Sequence, residues 1–169
     1  MTSSKHTGDL RISWDDYHRS IESLARKVAD SNWEFDQVLC LARGGLRPGD
    51  VFSRLFKVPL AILSVSSYRE AGGTERGDLF IGASISSSTK ALAGRLLLID
   101  DLVDSGTTLQ KVKEWLHDKH PEVRELRSAV IWYKANASEQ PDYYAHHVVD
   151  NPWIHQPFEF YDQITANDL

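Results

Sequence analysis

The chain has 169 residues, 41% hydrophobic and 25% charged, with a formal net charge of −5. Such a length and composition suit one globular domain with one sizeable core, and the acidic balance excludes the overall basic surface of a general nucleic-acid binder. The lone cysteine, Cys40, excludes an intrachain disulfide, no apolar run is long enough to span a membrane, and the polar N-terminus carries no apolar signal segment, so the expected location is the cytoplasm.

Residues 1–9 read as a disordered lead-in, and 10–169 as the single domain. Ser13 precedes Trp14-Asp15-Asp16, a helix cap followed by acids in the first turn. Tyr17, Ile21, Leu24, Ala25 and Val28 then recur at spacings of three and four, which predicts an amphipathic helix over about 14–30. Residues 35–42 form an apolar run stopped by Arg43-Gly44-Gly45, a buried strand that holds Cys40 as an inert thiol. Pro48 suits the opening of a second helix, with Val51, Phe52, Leu55 and Phe56 on its apolar face. Pro59 to Tyr68 reads as a strand, 69–78 as a glycine-rich mobile surface loop, and 79–85 as a short strand before the serines at 86–88.

Arg95 to Ile99 is the clearest buried strand, ending in Asp100-Asp101-Leu102-Val103-Asp104-Ser105-Gly106-Thr107-Thr108. A helix with Leu109, Val112, Trp115 and Leu116 on one face follows, then strands at 126–133 and 143–149 and an aromatic segment from Trp153. Strands alternating with helices predict an α/β fold with a mainly parallel sheet flanked by helices. Ligands of such sheets bind beyond the carboxyl ends of the strands, where the acidic and glycine-bearing turns lie.

Adjacent carboxylates at the end of an apolar strand do not fill core; they suit sugar hydroxyls or a hydrated Mg²⁺. Asp104 to Thr108 leads straight into a helix, so its backbone N–H groups and hydroxyls form an anion site that fits a phosphate. A plain capped helix with solvated acids would share the shorter Asp-x-Gly-Thr pattern.

The whole string Leu96-Leu97-Leu98-Ile99-Asp100-Asp101-Leu102-Val103-Asp104-Ser105-Gly106-Thr107-Thr108 resembles the phosphoribosyl pyrophosphate (PRPP) motif of type I phosphoribosyltransferases. Ala42-Arg43-Gly44-Gly45-Leu46 resembles that family's pyrophosphate loop, which implies that Arg43 and the backbone of Gly44 and Gly45 hold diphosphate oxygens, with a non-proline cis peptide near Ala42–Arg43. Ser66-Ser67-Tyr68 and the glycines after it resemble the family's catalytic lid. Trp153 to Glu159 and Ile131-Trp132-Tyr133-Lys134 are similar to the base-recognition parts of the family's xanthine-guanine branch. By that likeness Trp153 stacks on a purine, the Ile154 carbonyl faces its 2-position, and Lys134 donates to a 6-oxygen, the whole forming a small C-terminal hood.

The resemblance implies the following site. Asp104, Ser105, Gly106, Thr107 and Thr108 hold the 5-phosphate of PRPP, Asp100 and Asp101 its ribose and Mg²⁺, with Glu159 as a further metal ligand and Asp104 as general base. It implies a purine-salvage transferase acting on PRPP and a 6-oxopurine, a homodimer or homotetramer with no nucleic-acid or membrane partner. Three features depart from the branch: Ala42 precedes Arg43 in place of a serine, Ala135-Asn136-Ala137-Ser138 follows Lys134, and the chain differs beyond Glu159. These bear on base preference and not on PRPP binding; the rival readings are a regulator that senses PRPP or nucleotides, an enzyme of the same family with another acceptor, and an inactive scaffold.

Overall fold

The computed structural model describes residues 8–67, 79–89 and 91–169. Tyr68 and the expected lid residues 69–78 lie outside the described residues. Among the described residues three helices and eight strands follow one another as β1 (Leu10–Arg11), α1 (Trp14–Asp30), β2 (Gln37–Ala42), α2 (Leu46–Phe56), β3 (Leu60–Ser67), β4 (Leu79–Ser87), β5 (Gly94–Val103), α3 (Thr107–Lys119), β6 (Val123–Lys134), β7 (Tyr143–Val148) and β8 (Ile154–His155). Two 3-10 helices, Pro157–Asp162 and Ala166–Asp168, finish the chain. The main sheet has the order β4-β3-β2-β5-β6-β7, and only the β3–β4 pair is antiparallel. The expected mainly parallel α/β fold is therefore the one found.

Parallel neighbours need a crossover, and here α2 and α3 supply it between β2 and β3 and between β5 and β6. The sheet is buried on both faces. Along β5, Leu97 and Ile99 pack in a core layer with Tyr17, Ile21 and Leu24 of α1 and Phe52 of α2. Leu96 and Leu98 face the other layer with Leu109, Val112 and Leu116 of α3. The alternation is that of a strand, and each fully buried leucine contributes about 1.5–3 kcal/mol. α1 starts as expected: the Ser13 Oγ accepts from the Asp16 amide at 3.1 Å, and Tyr17, Ile21, Leu24, Ala25 and Val28 are all buried.

Cys40 is fully buried in β2, and burial pushes its thiol up to about 12. The thiolate is the reactive form. Native protein should therefore resist alkylation at neutral pH, while urea-unfolded protein labels at once; rapid labelling of the folded chain would contradict this packing.

Several boundaries differ from the sequence reading, and those of β5 and β4 do so because of strand pairing. β5 does not stop at Ile99: it runs to Val103, because β6 keeps pairing with it as far as Val103↔Tyr133. β4 runs on through Ser86 and Ser87, which pair with Ile62 and Ala61. The helix expected from Pro48 begins at Leu46, with Pro48 in its first turn, where its missing N–H leaves no partner wanting. The structure also adds a small parallel pair, β1 with β8, that joins the two ends of the domain.

Candidate active site

Three turns meet where β2, β5 and β6 end. β2 pairs with β5 only as far as Cys40↔Ile99 and then turns away at residues 43–45. The expected cis bond between Ala42 and Arg43 is present in this turn. Asp100 and Asp101 thus keep β6 on one side and face the turn on the other. Gly44 lies so close to Asp101 that a Cβ there would strike the carboxylate. Gly45 donates its amide to the Leu41 carbonyl at 2.7 Å, closing the turn, and caps α2. Arg43 is exposed at the rim, 3.6 Å from Asp162, a loose surface pair that holds it only weakly.

Alternation along β5 sends the two acids to different hollows. Asp101 lines a cleft of about 740 Å³ together with Arg43, Gly44, Arg47, Trp153, His155, Phe158 and Glu159. Asp100 lines a smaller hollow of about 90 Å³ with Asp104, Gly106, Thr108 and Ser128. Both carboxyls are raised above the usual carboxylate range. For Asp100 burial is the main cause, followed by the charge of Asp101. For Asp101 burial raises the value, opposed by a hydrogen bond from Gln156. A site that disfavours its own negative charges is one that a cation or sugar hydroxyls would relieve.

The loop from Asp104 to Thr108 opens α3. Gly106 adopts the left-handed region at φ +86 and, having no side chain, leaves the helix N-terminus without a side-chain cap. First-turn amides of α3 and the hydroxyls of Ser105, Thr107 and Thr108 surround that end. The loop is held from behind by the turn after β6: the Ser138 amide and hydroxyl both donate to the Ser105 carbonyl, at 2.8 and 2.9 Å. Lys113 of α3 pairs with Glu139 at 2.7 Å. Ser138, at the end of the Ala135 to Ser138 stretch, thus supports the 104–108 loop. A methyl on Gly106 would meet the Glu139 amide and would sit in left-handed backbone. Gly106→Ala should therefore destabilise the fold by about 1–3 kcal/mol and abolish anion binding at the loop, read by thermal melting and by phosphate titration.

Lys134, at the end of β6, is 6% exposed, and its Nζ lies 3.2 Å from Asp104 Oδ1. Two residues expected in different roles are thus direct neighbours. Trp153 is 54% exposed on the cleft. Ile154 is buried in β8, where β1 takes the carbonyls of Trp153 and His155; strand alternation turns the Ile154 carbonyl away from β1. Glu159 sits on the Pro157–Asp162 helix, 4.0 Å from His155, whose other nitrogen lies 3.0 Å from Asp9. Among the described residues no three His, Cys, Asp or Glu side chains form a ready metal cluster; Glu159 lines the same cleft as Asp101.

The sequence reading missed Gln156, Ser138, Glu139 and Arg47. Arg47 reaches the cleft with its guanidinium 4.7 Å from the Phe158 ring and 5.5 Å from that of Trp14. Each depends on a contact between distant segments, and no local pattern signals it.

Residues 13–163 match the phosphoribosyl transferase domain family. The chain belongs to the phosphoribosyltransferase family. It is thereby an enzyme of the glycosyltransferase type. A xanthine-guanine phosphoribosyltransferase of Idiomarina loihiensis is 25% identical over 151 residues, 89% of this chain and 86% of the relative. Among solved structures, a purine phosphoribosyltransferase from Pyrococcus horikoshii superposes with a TM-score of 0.73 at 27% identity, over 90% of this chain and 94% of its own. A Helicobacter pylori xanthine-guanine-hypoxanthine phosphoribosyltransferase shares the fold, with a TM-score of 0.72 at 22% identity over 94% and 96%. As in the sequence, no helix among the described residues of this transferase is long and apolar enough to cross a membrane.

Proposed function

We propose that this transferase moves the phosphoribosyl group of PRPP to a 6-oxopurine (guanine, xanthine or hypoxanthine), releasing pyrophosphate and a nucleoside 5′-monophosphate, as a purine-salvage enzyme. The observation that carries the reading is the 3.2 Å approach of Lys134 to Asp104 at the mouth of the 104–108 loop. A donor for a 6-oxygen and an acceptor for a ring proton stand side by side, next to a built anion site.

In this reading the loop amides and hydroxyls of 105–108 hold the 5-phosphate, and Arg43 with the Gly44 backbone holds the pyrophosphate. Asp100 and Asp101 hold the ribose hydroxyls. Their raised carboxyls also fit Mg²⁺, which binds through one or two carboxylates, water and substrate oxygens; when bound it would offset charge on the leaving pyrophosphate. Glu159 is a further candidate ligand across the cleft. The bond from C1 to pyrophosphate loosens toward an oxocarbenium-like transition state, the purine nitrogen forms the new bond to C1, and the Asp104 carboxylate accepts the ring proton. Trp153 offers its face to the purine and Ile154 its carbonyl.

Lysine only donates, so Lys134 favours a 6-oxo group over the 6-amino group of adenine. Steady-state rates with the four bases test this. The 6-oxopurines should exceed adenine in kcat/KM by about 100-fold or more, and Lys134→Met should lose most of that preference. Adenine as the best substrate would overturn the assignment of the acceptor.

A further inference from the structure

The purine-facing Trp153–Ile154 and the acidic stretch of β5 belong to different parts of the chain, yet one side chain joins them. Gln156 is 5% exposed, and its Nε2 donates to Asp101 Oδ2 at 2.6 Å. Its backbone follows β8, which β1 pins, and precedes Pro157, which opens the 3-10 helix carrying Phe158 and Glu159 to the cleft. Gly44, in the turn that would hold the pyrophosphate, lies beside the same carboxylate and leaves no room there for a side chain. Asp101 is therefore gripped by the segment that would read the base and by the turn that would hold the leaving group.

The chemistry of the grip is specific. A carboxylate accepts and needs a donor to fix it. A lysine or arginine there would cancel its charge and compete with any cation or sugar hydroxyl. A buried amide fixes the carboxylate and leaves its charge in place. The alignment at 2.6 Å is also short enough that a small shift of β8 must move the Asp101 side chain or break the bond.

We propose that Gln156 is a positioning residue that, through Asp101, couples occupancy of the purine site to occupancy of the pyrophosphate site. The inference rests on the phosphoribosyl-transfer reading of the same cleft. Coupling of this kind is reciprocal: each ligand must raise the affinity of the other by the same factor.

Calorimetric titration of hypoxanthine, with and without saturating Mg²⁺-pyrophosphate, tests it in the intact protein. Wild type should bind the base about tenfold more tightly when pyrophosphate is present, within the usual range of such couplings. In Gln156→Met, a near-isosteric change that removes the donor, the factor should fall to about one, with base affinity measured alone kept within about twofold. The double variant Asp101→Asn/Gln156→Met should match Asp101→Asn alone, because Gln156 acts through that carboxylate. If Gln156→Met does not fold, Gln156→Leu removes the donor at similar volume and carries the same expectation. Retained coupling in the variant, additive losses in the double variant, or no coupling in a wild type that binds both ligands would overturn the inference and leave the transfer reading standing. Failure of folded wild type to bind either ligand would overturn both.

Discussion

Asp104→Asn should lower turnover by about 10²–10⁴-fold, the range of a lost general base, while PRPP affinity stays within about threefold. The two effects separate because of how the loop is built. In the proposed reading the 5-phosphate is held by backbone amides and by the Ser105, Thr107 and Thr108 hydroxyls at the start of α3, and Ser138 holds that loop in place through the Ser105 carbonyl. None of these contacts uses the Asp104 carboxylate, which is half exposed and turned to Lys134. Asparagine keeps the size of the side chain and removes its capacity to accept a ring proton. Single-turnover rates beside equilibrium PRPP binding read the two quantities independently. Equal losses in both would place Asp104 in the donor's binding site and remove it from proton transfer.

Asp100→Asn should do two opposite things: abolish most activity and stabilise the unliganded protein. The carboxyl is disfavoured first by burial and then by the charge of Asp101. Its Oδ1 accepts from the Asp101 amide at 2.9 Å, a bond that asparagine retains. The substitution thus removes a strained charge and little else. Relief of about 1 kcal/mol would raise the melting temperature by about 2–4 °C in a chain of this size. Loss of an electrostatic contact to the ribose or its cation should reduce kcat by about 10² or more. Addition of Mg²⁺ and PRPP should then stabilise the wild type more than the variant, since ligand that binds only the folded state adds stability in proportion to its affinity. A variant that is both inactive and less stable would show that Asp100 is a structural group.

The parts of the fold carried by local pattern were legible in advance. α1 is marked by its Ser13 cap and by the spacing from Tyr17 to Val28, and the observed helix has the bounds that spacing predicts. The anion loop was legible because its parts are contiguous, from Leu96 to Thr108. β5 was read too short because two acids interrupt its apolar run, whereas its true length is set by pairing with β6 through Leu102↔Trp132 and Val103↔Tyr133. β1 and β8 are two residues each and have no period to read; they exist because the ends of the domain meet. For the same reason the sequence placed Lys134 and Asp104 in separate roles and could not show them 3.2 Å apart. The Ala135 to Ser138 stretch read as a departure that touched base preference; its Ser138 also holds the Ser105 carbonyl of the 104–108 loop, a contact no local pattern signals.

The proposed activity is transfer of a phosphoribosyl group to a 6-oxopurine. Its most direct test mixes purified protein with Mg²⁺, PRPP and guanine, xanthine or hypoxanthine in turn, and follows pyrophosphate release together with nucleotide formation. The proposed reaction predicts both products in equal amounts with at least one of these bases, and neither when PRPP or the base is left out. A folded protein that forms no nucleotide and releases no pyrophosphate with any of the three would contradict it.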